Sequence, residues 1–168
     1  MIARCFAFLF AASFLASPGL AETAEKTESV NDRPVLALVV VDNLQRSGGA
    51  ITAFDRLDMA FAHVANERKW PVTLSAERFA ANTPDHDNEL RVFLQPVRAE
   101  KPGELVSRSW VTLTISGKKH DFGVVLFRFY PRAGEHADDT LEKLYRGTAA
   151  AIADKVEPVL FPKPPGTK

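Results

Sequence analysis

Three neighbourhoods in the chain pair imidazole with carboxylate: Asp85-His86-Asp87, His120-Asp121 and Glu135-His136. Two histidines and an acid that converge can hold a zinc or copper ion. The strand pattern described below puts the loop before Leu90 and a turn at Gly117 at one end of a meander, and the loop after Tyr130 at the other. His86 and His120, with Asp87 or Asp121, are therefore the candidate metal ligands, and His136 stands apart. No HExxH-like spacing accompanies them, so solvated loop side chains are the plainer reading and no cofactor is expected. His63 falls inside an amphipathic run and reads as a flanking helix residue.

Nucleophilic chemistry has less to stand on. There is no GxSxG elbow. Ser47-Gly48-Gly49-Ala50 precedes a helix as an anion-binding loop would, but it lacks the lysine and spacing of a phosphate loop. A strand-to-helix turn is the simpler account. The acid pairs Asp55 with Asp58 and Asp138 with Asp139 suit helix N-termini, where negative charge is favoured. An enzyme is not expected.

A different set draws more attention. Arg91, Phe93, Gln95, Trp110, Thr112, Thr114, Arg128 and Tyr130 fall at alternate positions of three strands, mixing aromatic rings, guanidinium groups and hydroxyls. Interfaces favour Trp, Tyr and Arg, so an exposed stripe of this kind fits contact with a protein or a glycan. Arg91, Phe93, Gln95, Trp110, Thr112, Arg128 and Tyr130 are the candidate partner-binding residues. The period of two leaves open whether this face is exposed or covered by a helix or the C-terminal tail.

The elements that position these residues centre on Arg108 to Arg132. Val111, Leu113 and Ile115 alternate with Trp110, Thr112, Thr114 and Ser116, and Phe122 to Tyr130 is rich in β-branched and aromatic residues. If Val111, Leu113 and Ile115 share a face with Val125, Phe127 and Phe129, paired numbers sum to an even value. A three-residue loop, Gly117 to Lys119, satisfies that parity.

Before this hairpin, Val35 to Val41 is continuously apolar, as in a strand covered on both faces. A helix follows from Thr52, with Asp55 in a capping-box position and Phe54, Leu57, Phe61, Val64 and Ala65 on one side. Trp70-Pro71 ends it. Val72 to Leu74 is a short strand, Ser75 to Asp87 a loop with room for one helical turn at Glu77 to Ala81, and Leu90 to Val97 a strand. Pro102-Gly103 marks a turn. A second helix runs from about Asp139, with Glu142 completing a capping-box pattern, and Pro158 stops it. The expected order is β-α-β-β-β-β-α: a single α+β domain with a mixed or mostly antiparallel sheet and two helices packed on one face.

Residues 1–21 read as a signal peptide, from Arg4, the apolar run Cys5 to Ala16 and the small residues Gly19-Leu20-Ala21. Cleavage there leaves a flexible tether at 22–33, the domain at 34–160 and a proline-rich tail at 161–168. Cys5, the one cysteine in the chain, leaves with the signal. The mature chain then has neither a disulfide nor a thiolate ligand. Removing Arg4 from 21 basic residues leaves 20 against 21 acidic, so no strong electrostatic footprint for nucleic acid or an anionic membrane exists. A periplasmic or secreted location without stable membrane insertion is expected.

The run from Arg33 to Pro158 resembles the small α+β domains of bacterial envelope proteins typified by the TolB N-terminal domain and the CsgG/LpoB group. The likeness lies in element order: an apolar strand after Arg33-Pro34, a helix, the Val72 strand with Glu77-Arg78 after it, three more strands and a last amphipathic helix. That resemblance implies a non-enzymatic accessory or assembly role in the envelope with an unknown protein partner. The chain departs from those proteins in having no lipobox cysteine and no propeller domain, so no functional residue is carried over.

Overall fold

The computed structural model describes residues 33–42 and 52–162. The readings of residues 1–21, of most of the tether, of the Ser47-Gly48-Gly49-Ala50 loop and of the end of the tail lie outside them.

The apolar run after Pro34 forms β1 (Val35–Asp42), buried from Leu36 through Val41. Burial of this kind needs cover on both faces, and the topology supplies it. β1 pairs in parallel with β2 (Thr73–Arg78) on one side and with β3 (Asn88–Leu94) on the other. β5 (Glu104–Ile115) runs antiparallel to β3. β4 (Arg98–Lys101) pairs with the start of β5, and β6 (Lys118–Phe129) pairs with β5 over most of its length. A strand has two edges, so β3 and β4 must share one edge of β5 while β6 holds the other. The sheet is mixed and six-stranded.

The helices are α1 (Ala53–Glu67) and α2 (Ala137–Leu160). Their buried residues Leu57, Phe61, Val64, Tyr145, Ile152 and Val156 join one hydrophobic cluster with Leu36, Leu38, Val40, Leu90, Val92, Val111, Leu113 and Val125. Those strand residues all belong to one sheet face by register. Each Leu, Ile or Phe fully buried there contributes roughly 1.5–3 kcal/mol of transfer free energy. Gly147 lets α2 approach closely: a Cβ on it would lie 2.0 Å from Cζ of Phe127, on the same sheet face. Arg56, buried in α1, reaches Asp138 at 2.7 Å and ties the two helix N-terminal regions together.

The second face is covered over β1 by the β2–β3 connection. Glu77 and Arg91 flank Val39 on that face. His86 lies 2.9 Å from Glu77, Asp85 lies 3.3 Å from Arg91, and the Arg91 guanidinium stacks over the Phe79 ring at 5.4 Å. The segment between β2 and β3 therefore crosses beneath β1, opposite the helices. Handedness requires this: the β1–α1–β2 crossover uses one face, and a right-handed return past β1 must use the other.

Several expected boundaries move. A short strand, β4, precedes the hairpin, so the order is β-α-β-β-β-β-β-α. The Val72–Leu74 strand shifts and lengthens to Thr73–Arg78 because parallel pairing with β1 satisfies its backbone, which displaces the helical turn expected at Glu77 to Ala81. The Thr52–Asp55 capping box forms, whereas α2 begins at Ala137, two residues before the expected start, and its N-cap His136 makes no side-chain cap. α2 also passes Pro158 and ends at Leu160, since a proline this near the C-terminus removes little of the hydrogen-bond ladder.

The hairpin turn is Ser116-Gly117, both at positive φ (50° and 75°), a two-residue loop instead of three. Even parity is restored farther along by a β-bulge, where Val111 meets Gly123 and Thr112 meets Asp121. Gly123 holds φ 66° there, and its N–H donates to the Asp121 carboxylate at 2.8 Å. Val125 and Phe127 thus share the face of Val111, as the alternation predicts.

Candidate functional site

On the second face, register aligns Val41, Phe93, Trp110 and Val124 in one row across β1, β3, β5 and β6. Val41 is buried, but Phe93 is 37% exposed, Trp110 44% and Val124 50%, and the neighbouring Leu126 is 36% exposed. Large apolar side chains therefore stand side by side in solvent beyond the end of the β2–β3 cover. Phe93 and Trp110 oppose each other across an antiparallel pair, where aromatic residues lie close enough to contact.

Charged groups flank this row. Toward the β4–β5 hairpin, Glu104 is buried; it accepts from the Tyr130 hydroxyl at 2.8 Å and lies 3.2 Å from Arg128 Nε. The hydrogen bond that Tyr130 donates to Glu104 raises the phenol above its ordinary pKa. Arg108 pairs with Glu100 beside them. Toward the opposite end, buried Glu89 receives both Nε and an Nη of Arg91, at 2.5 and 3.0 Å. Removing one partner of such a pair leaves a buried charge uncompensated, so Arg91 belongs first to the fold.

Each predicted residue can now be placed. Phe93, Trp110 and Gln95 are exposed, Thr112 is buried, and Arg91, Arg128 and Tyr130 reach toward solvent while engaged with acids. Thr114 is half-buried on the same face. Val124 and Leu126 were missed, although they share the parity of Arg128 and that signal lay in the sequence. Arg108 and Glu100 were missed because the β4 hairpin that brings them together was not foreseen.

The histidines do not meet. The Gly117 turn does contact the loop before β3, through Gly117 N–H to the Asp87 carbonyl at 3.3 Å. Yet His86 sits with Glu77 on the second face, while His120 lies opposite Leu113 on the helix-covered face. Nε2 of His86, 2.9 Å from Glu77, is not aligned to hydrogen-bond it. Asp121 is committed to the bulge and Asp87 is exposed. Among the described residues no three His, Cys, Asp or Glu side chains gather as a metal site.

No known protein family matches the chain, and no curated protein matches it. Solved structures do. The chain is similar to a hypothetical protein from Chlamydia trachomatis, at 9% identity and a TM-score of 0.49 over 77% of this chain and 98% of that one. It is similar to an uncharacterised protein at 14% identity and 0.48, covering 76% and 92%. It also resembles the rare lipoprotein B of Shewanella oneidensis, at 12% identity and 0.37, covering 73% and 95%. A minor lipoprotein from Acinetobacter baumannii is similar at 10% identity and 0.35, covering 71% and 91%. At such identities and scores the likeness concerns the fold and says nothing of activity or partners.

Proposed function

We propose that this chain is a non-catalytic binding domain of the bacterial envelope, exported to the periplasm, and that it holds a protein partner on the open part of its second sheet face. The observation that carries this reading is the row of Phe93, Trp110 and Val124, with Leu126 beside it, left in solvent between two charged flanks. Contiguous exposed apolar side chains rimmed by polar groups mark interaction sites. An aromatic centre with a charged rim has the anatomy of a protein interface. The export-like N-terminal pattern supports the location.

The test is site-specific photo-crosslinking in the periplasm of the native host. A crosslinker at Trp110 is expected to trap a discrete protein, whereas one at exposed Met59 on α1 is not. Trp110→Ala is expected to weaken capture of that partner by about 30-fold or more, the scale of an interface hot spot, without lowering the melting temperature by more than a few degrees. Equal trapping at Met59 and Trp110, or capture indifferent to Trp110→Ala, would sink the proposal.

A further inference from the structure

The outer edge of β6 has no strand paired to it among the described residues. β6 is 12 residues long, and among the described residues it pairs only with β5. An unpaired strand edge offers a row of N–H and C=O groups to any strand that fits.

Two features determine which strand fits. Past the bulge β6 reads Gly123-Val124-Val125-Leu126-Phe127, uncharged and centred on Val125. Laid antiparallel on its own copy about Val125, Gly123 meets Phe127, Val124 meets Leu126, and Val125 meets itself. Every one of these pairs shares a sheet face. The second feature is charge. Against β5 the bulge leaves Phe122 without a partner, so that Asp121 follows Gly123 in register. Repeated on the outer edge, that skip sets Asp121 opposite Arg128 of the second copy, both on the second face. Two-fold symmetry makes the pair twice. Next come His120 with Phe129 and Lys119 with Tyr130, so no like charges oppose each other.

We propose that the chain forms a two-fold symmetric dimer in which β6 of one copy pairs antiparallel with β6 of another, joining the two sheets into one. Such a contact is isologous and closes on itself. It sets Val124 of one copy beside Leu126 of the other, so the two apolar second-face patches become continuous. The inference stands on the β6 edge and does not depend on whether the patch holds another protein.

The test starts with sedimentation of the full chain, which is expected to show twice the chain mass. Leu126→Lys, at a 36%-exposed position, is expected to give a monomer with an unchanged circular dichroism spectrum. Register is read separately, in the Cys5→Ser chain so that the only thiols are introduced ones. Val124→Cys mixed with Leu126→Cys is expected to crosslink as a dimer under mild oxidation, and Val124→Cys alone to do so far less, because its two thiols would be offset diagonally. A wild-type monomer at all concentrations overturns the proposal. So does a dimer that survives Leu126→Lys and shows no preference for the mixed thiols. An edge occupied by another segment of this chain, or by an extended peptide of a different protein, would appear as the first of these.

Discussion

Thr52 and Asp55 show how much one pair of side chains settles at the start of α1. The Thr52 hydroxyl accepts the Asp55 N–H at 3.2 Å, and the Asp55 carboxylate accepts the Thr52 N–H at 2.9 Å, which satisfies backbone donors that the helix leaves free. The Thr52 hydroxyl and then its N–H, with Arg78 adding a weaker attraction, hold the Asp55 carboxyl below the ordinary range. A lowered folded-state pKa means that the unfolded chain binds the proton more readily. The contribution is therefore present above the ordinary carboxylate value of about 4 and is lost as pH falls through the folded value. Thr52→Ala is expected to cost about 1 kcal/mol at neutral pH, and the gap to wild type should narrow in urea titrations taken progressively below pH 4. A gap that is constant with pH would mean the cap does not depend on the Asp55 charge. This capping box was legible in the sequence because its signature is local. The Glu89–Arg91 pair was not: spacing places both residues on one face, but only the β2–β3 cover makes that part of the face buried.

At the scale of elements, α2 against β5 and β6 shows where pattern reading stops. Leu141, Leu144, Tyr145, Thr148, Ala149, Ile152 and Val156 recur at helical spacing, and the structure buries all of them but Leu141. Gly147 gave no such signal, since glycine inside a helix reads only as a loss of about 1 kcal/mol relative to alanine. Its role is visible only once Phe127 is seen pressed against its backbone. Gly147→Ala should therefore destabilise the protein by about 1–3 kcal/mol in spite of its better helix propensity, because the ring must leave its position. Adding Phe127→Leu should recover part of that loss. A stabilised Gly147→Ala protein in thermal melts would show that α2 can shift away from the sheet at no cost. The hairpin teaches a related lesson. Alternation fixed which residues share a face, but the same parity follows from a three-residue loop or from a two-residue loop with a bulge, and only hydrogen-bonded register tells them apart.

At the scale of the whole molecule, one face of the sheet is closed by helices and the other is divided. The right-handed return from β2 to β3 covers β1 and the Glu89–Arg91 stretch of β3 and stops, leaving Phe93, Trp110, Val124 and Leu126 on β3, β5 and β6 in solvent. The sequence reading left exposure of that face open because covering depends on where a connection crosses, which periodicity does not encode. The two tryptophans report the division directly. Trp70 is 3% exposed; its indole N–H donates to Glu157 at 2.7 Å and its ring packs edge-on against Phe161. Trp110, 44% exposed, stands in the apolar row. Acrylamide quenching should therefore resolve an accessible and a protected emitter, and Trp110→Phe should remove the accessible, red-shifted one. The same variant should melt close to wild type, since it loses little buried surface. If the two emitters were equally protected in the isolated full chain, another segment would cover the second face and the partner surface would fall, while the β6 pairing would stand or fall on its own sedimentation and crosslinking test.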